Sequence, residues 1–89
     1  MTVLNLSEAK KIGFNDSVDV GGVNLHVQTE VLTRGGIVIR TTVLHGGVTK
    51  LVESQSVPPH VSDVGALVTL VQTQHRRCFE QVKRGGASK

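Results

Sequence analysis

His75 and Cys78 stand three residues apart, the spacing that puts two side chains on one face of a helix. An imidazole and a thiol so placed could share a metal ion, or act as base and nucleophile. Each chemistry needs more groups than these two. A structural zinc site takes four ligands in a tetrahedron, and His26, His45 and His60 come from distant segments without zinc-finger spacing. A nucleophile and base need a third group to orient the base, and neither such a set nor a pair of carboxylates for acid–base work is visible in the sequence. The expectation is a small core role for Cys78, the only cysteine, with no catalytic set, no metal and no cofactor. Arg76 and Arg77 would lower its pKa only if the thiol were exposed, which the apolar periodicity around it argues against.

A second set of reactive side chains follows a period of two. From Asn24 to Leu44 apolar and polar residues alternate on both sides of Thr33-Arg34-Gly35-Gly36, the pattern of a two-stranded hairpin. A turn on Arg34-Gly35-Gly36 sets Val31 opposite Ile39, Thr29 opposite Thr41 and Val27 opposite Val43. The same register sets Glu30 opposite Arg40 and Gln28 opposite Thr42. A shift of one residue would put Glu30 on the face of Ile39 and Val43. The outer face then carries His26, Gln28, Glu30, Arg40 and Thr42, groups that can bind a protein partner. Leu32, Val38, Leu44 and Leu51 are expected on the same face, and an apolar patch of that kind marks contacts between chains.

The elements that position these groups are punctuated by glycine. Asn5 to Gly13 reads as a short helical turn, with Asn5 or Ser7 as its cap, Gly13 as its end, and Leu6, Ala9 and Ile12 facing the core. Strands are expected from Asp16, with Gly21-Gly22 and Gly46-Gly47 as two-residue hairpin turns. The first turn pairs Val20 with Val23 and Val18 with Leu25. After the last one, Val48 and Val52 are expected on the core face. None of the glycine pairs has the strand-to-helix context of a phosphate-binding loop. Pro58-Pro59 stops the sheet. Ser62 or Asp63 caps a helix whose apolar stripe is Val64, Leu67, Val68, Val71, Cys78 and Val82, with His75 or Gln74 filling the gap. Gly85-Gly86 ends it. The fold expected is α+β: a four-stranded antiparallel meander packed on one long C-terminal helix, with the short N-terminal turn at an edge. Residues 1–86 form one domain and 87–89 a frayed tail.

The chain has 89 residues and a net charge of +3, with the excess of positive charge late in the sequence. Arg76, Arg77, Lys83 and Arg84 form a basic patch at the end of the helix. Cations there suit the helix dipole, and they also make a nucleic-acid-binding module the alternative function. Single-strand binders stack bases on aromatic rings, whereas this chain has no Trp or Tyr, and Phe14 and Phe79 read as core. No signal peptide or membrane span is visible, so a cytoplasmic location is expected. A domain this small gains from self-association, and a homodimer is expected.

His26-Val27-Gln28-Thr29-Glu30 resembles the "HVQTE" strand of a group of small, poorly characterised bacterial proteins. Those proteins share a following strand with a threonine and a glycine turn, matched here by Thr41 or Thr42 with Gly46-Gly47. They also share a helix with a "QH" pair, matched by Gln74-His75. The resemblance spans residues 23–82. It implies gliding or predatory bacteria, in which small adaptors work with Ras-like GTPases in motility and polarity. It implies no catalytic residue. The function expected is thus a non-enzymatic protein-interaction module, a signalling adaptor engaging a protein through His26, Gln28, Glu30, Arg40 and Thr42.

Overall fold

The computed structural model describes residues 6–85. In order they form α1 (Leu6–Ala9), β1 (Gly13–Val20), β2 (Val23–Leu32), β3 (Val38–His45), β4 (Val48–Ser56) and α2 (Val64–Gly85). The four strands make one antiparallel sheet in the order β1-β2-β3-β4, and α2 lies over β1, β2 and β3. This is the expected two-layer meander and helix. The proposed Asn5 cap and the 87–89 tail lie outside the described residues.

Turn chemistry sets the registers. Gly46 and Gly47 have φ of 58° and 82°, as do Gly21 and Gly22 at 58° and 84°, a pair of positive values that only glycine adopts without strain. Val20 therefore pairs with Val23 and Val18 with Leu25. In the central hairpin Val31 pairs with Ile39, Thr29 with Thr41 and Glu30 with Arg40, the register that keeps the valines and isoleucine together. Its ladder closes at Leu32 and Val38, so five residues, 33–37, lie outside it.

Three boundaries differ from the sequence expectation. β1 begins at Gly13, not Asp16, because Gly13 continues the ladder opposite Glu30. Gly13 is consequently extended and does not end the helix in a left-handed conformation; α1 stops at Ala9, and Ile12 N–H closes a turn onto Ala9 O at 3.1 Å. The third difference is in β4. Val43 pairs with Leu51 and Leu44 with Thr49, so Lys50 bulges out of the ladder. A regular ladder from the Gly46-Gly47 turn would set Lys50 against Val43, which is fully buried. The bulge keeps the ammonium in water and turns Leu51 inward against Leu25, Val27, Val43 and Val82. Val48 and Val52, expected in the core, are instead 58% and 51% exposed.

The helix starts at an Asp63 cap, whose carboxylate accepts the Gly65 N–H at 3.1 Å. Lys83 and Arg84 occupy its last turn. Two apolar clusters join it to the sheet. One holds Ala9, Val31, Ile39, Leu67 and Val71, and α1 closes this end with Ala9. The other holds Leu25, Val27, Val43 and Val82. Phe14 and Phe79, expected as core, are half-buried at the margins of the two clusters.

Candidate functional site

Strand alternation divides the sequence motif between two faces. On β2, Thr29 points into the fold, while His26, Gln28 and Glu30 point to the other side. Each face builds its own set of polar contacts.

The inner set lies between the two apolar clusters. Thr29 and Thr41 occupy inward positions in the middle of β2 and β3, and Gln74 and His75 interrupt the apolar stripe of α2 at the same level. Thr29 Oγ1 lies 2.8 Å from Thr41 Oγ1 and 2.7 Å from His75 Nδ1. His75 Nε2 lies 2.7 Å from Asp16 Oδ2 on β1. Gln74 Nε2 donates to Thr41 Oγ1 at 3.1 Å and to the carbonyls of Ile39 and Glu53, both at 3.2 Å. One donor direction runs through these groups when His75 is neutral: Gln74 amide to Thr41, Thr41 to Thr29, Thr29 to Nδ1, and Nε2–H to Asp16.

A carboxylate, an imidazole and a hydroxyl in series have the composition of a nucleophile triad. Their placement is reversed. In a hydrolase the hydroxyl opens onto the cleft and the carboxylate is buried, whereas here Thr29 is 3% exposed and the Asp16 side chain 55%. The reactive end points into the core, and the network ties β1, β2, β3 and α2 together. It reaches the surface at a shallow cleft of about 360 Å³ lined by Phe14, Asp16, His75, Arg76, Phe79 and Glu80.

His75 and Cys78 share a helix face, as their spacing requires, and both are buried. Both ring nitrogens of His75 are committed to Thr29 and Asp16. Among the described residues no group of three or more His, Cys, Asp or Glu side chains could hold a metal ion. Burial pushes the Cys78 thiol above its ordinary pKa, and the Glu53 carboxylate adds to the rise; the nearby Thr41 hydroxyl and the Arg77 charge act the other way. A raised thiol pKa is the opposite of what a nucleophile needs.

The outer set is laid across the exposed face of the sheet. Arg40 Nε donates to Glu30 Oε2 at 3.1 Å, and Nη2 bonds the same oxygen. Gln28 stands opposite Thr42. His26 Nδ1 lies 3.1 Å from Ser17 Oγ and its Nε2 3.4 Å from Asn15 Oδ1, while Asn24 donates to Asp19 at 3.1 Å. All five expected residues, His26, Gln28, Glu30, Arg40 and Thr42, thus share one face. Leu32, Val38 and Leu44 flank them, half-buried, and the bulge replaces Leu51 on this face by Val52. Among the described residues no layer covers this side of the sheet.

The basic residues Arg76, Arg77, Lys83 and Arg84 are all exposed. Arg77 forms an ion pair with Glu53, and Lys83 sits 3.9 Å from Glu80 and 5.6 Å over the Phe79 ring. The inner network was missed from the sequence, although its signal was there: threonines at inward strand positions, facing a polar pair within an apolar helix stripe.

Among known proteins, no family model, no curated protein and no solved structure matches this chain. Among the described residues no helix is long and apolar enough to cross a membrane.

Proposed function

We propose that this chain is a non-enzymatic protein-interaction module, a cytoplasmic signalling adaptor that works through the outer face of its sheet. The observation that carries this reading is the composition of that uncovered face. Leu32 and Val38 lie beside the Glu30–Arg40 ion pair, and Leu44 and Val52 lie beside the neighbouring Gln28–Thr42 pair. An aliphatic patch supplies affinity, and a fixed pair of opposite charges supplies orientation. The inversion of the Asp16–His75–Thr29 series supports the non-enzymatic part, since its hydroxyl is closed to substrate. The resemblance of the HVQTE strand makes a Ras-like GTPase of bacterial motility or polarity the first partner to test.

The test is a photo-crosslinking residue placed at Gln28 in living cells, with Gln81 on the exposed side of α2 as the control. The expected result is a discrete adduct from Gln28, identified by mass spectrometry, that is lost when Glu30 and Arg40 are both alanine. Equal labelling from Gln81, or an adduct indifferent to Glu30 and Arg40, overturns the assignment of this face. The alternative, a nucleic-acid-binding module, is favoured by the exposure of the four basic residues on α2. Its mark is binding that weakens steeply between two salt concentrations.

A further inference from the structure

We propose that the free edge of β4 pairs with the same edge of a second copy, joining two four-stranded sheets into one continuous sheet. β4 is the last strand, and among the described residues no strand lies beyond it. No residue of β4 is fully buried.

The edge has a defined register. The Val57 N–H donates to Ile37 O at 2.9 Å, so position 57 directs its backbone groups into the sheet. Direction alternates along an antiparallel strand. Gln55 and Glu53 therefore turn toward β3, and Ser56, Ser54 and Val52 turn their N–H and C=O groups outward. Two copies can satisfy these groups only with outward residues facing outward residues. Setting Ser54 on the two-fold axis places Ser54 against Ser54, Val52 against Ser56, Glu53 against Gln55 and Leu51 against Val57. An axis one residue earlier would oppose Glu53 to Glu53 and run into the Lys50 bulge. An axis one residue later would oppose Val52 to Pro58, which has no N–H.

Charge agrees with this choice. Between the Lys50 bulge and Pro58 the only charged side chain is Glu53, whose carboxylate is held by Arg77. It faces Gln55 of the second copy, so no like charges meet. The opposite edge, β1, carries Asp16 and Asp19, and self-pairing there would bring both pairs of carboxylates into one ladder. An isologous edge is consumed when it pairs, so this assembly closes at two. Val38 already pairs with Ser56, so Val52 of each copy joins a cross-strand row with Ser56 and Val38 of the other. The dimer also sets two Glu30–Arg40 pairs on one surface, with the two β4 strands between them. The pairing stands independently of what that surface binds.

Single cysteines test the register. Position 54 meets itself at about 5.5 Å between Cα atoms, within disulfide range. Position 56 is displaced from itself by four residues, about 13 Å along the strand. Under mild oxidation Ser54→Cys should cross-link within the dimer and Ser56→Cys should not; native Cys78 is 0% exposed and stays silent. Light scattering should show the wild-type mass moving to that of a dimer as concentration rises. Ser54→Lys, which sets like charges on the axis, should stay monomeric with an unchanged circular dichroism spectrum. Should that variant misfold, the cysteine pair decides alone. A wild-type monomer at hundreds of micromolar overturns the proposal. So does a dimer in which Ser54→Cys links no faster than Ser56→Cys, since it would use another surface.

Discussion

Val43 faces Leu51 across β3 and β4, one residue later than the Gly46-Gly47 turn by itself dictates. The offset is the Lys50 bulge, and it decides which side of β4 is apolar. Deleting Lys50 should leave Thr49 opposite Leu44 and Leu51 opposite Val43 in an unbroken ladder. The expected cost is small, about 1 kcal/mol or less, because no buried contact is lost. Thermal unfolding of the deletion variant measures it. A loss of cooperative folding would show that the bulge does more than keep Lys50 out of the core.

The interior network predicts a different response. Thr29→Val leaves His75 Nδ1 without its donor and Thr41 without one partner in a buried layer. Removing one side of a buried hydrogen bond costs about 1–3 kcal/mol. Thr29→Val and Thr41→Val together should cost less than the sum of the two, because each already breaks the bond they share. Urea denaturation of the three variants reads the coupling. Strict additivity would argue against a connected network.

The outer ion pair should matter little to stability. The Arg40 and Glu30 side chains are 41% and 51% exposed, and exposed pairs contribute about 0–1 kcal/mol. Replacing both by alanine should shift the melting temperature by only a few degrees while removing partner capture. A large loss of stability would make the pair structural and remove the reason to read it as a recognition feature.

Cys78 predicts a pH dependence with a definite sign. Its folded pKa is raised above the ordinary 9.0, so the folded state keeps the thiol proton that the unfolded chain releases first. The stability this provides is complete below pH 9.0 and is lost as pH rises through that value toward the folded one. Between about pH 8 and about pH 10 the wild type should lose more stability than Cys78→Ala. Denaturant melts at the two pH values check this. The thiol of the folded protein should also resist Ellman's reagent until the chain unfolds.

Much of the candidate site was legible because its causes are local. His26, Gln28, Glu30, Arg40 and Thr42 share a face through two-residue alternation and one glycine turn, and both can be read along the chain. The inner layer was not legible. Asp16 meets His75 across 59 positions and Thr29 meets His75 across 46, and no local rule connects them. The polar residues at inward positions were visible, but their partners were not.

Sequence by itself determined the order of the elements, the hairpin registers of β1, β2 and β3, and the apolar stripe of α2. Those features follow from backbone preference at Gly21-Gly22 and Gly46-Gly47 and from the periods of strand and helix. Tertiary structure decided the rest. Whether Lys50 or Leu51 would face Val43 depended on the cost of burying an ammonium beside a valine that other strands and α2 had already sealed from water. Whether Thr29 and His75 would be reactive or structural depended on which end of their hydrogen-bonded series met solvent. Packing settles both questions, because desolvation is set by neighbours distant in sequence.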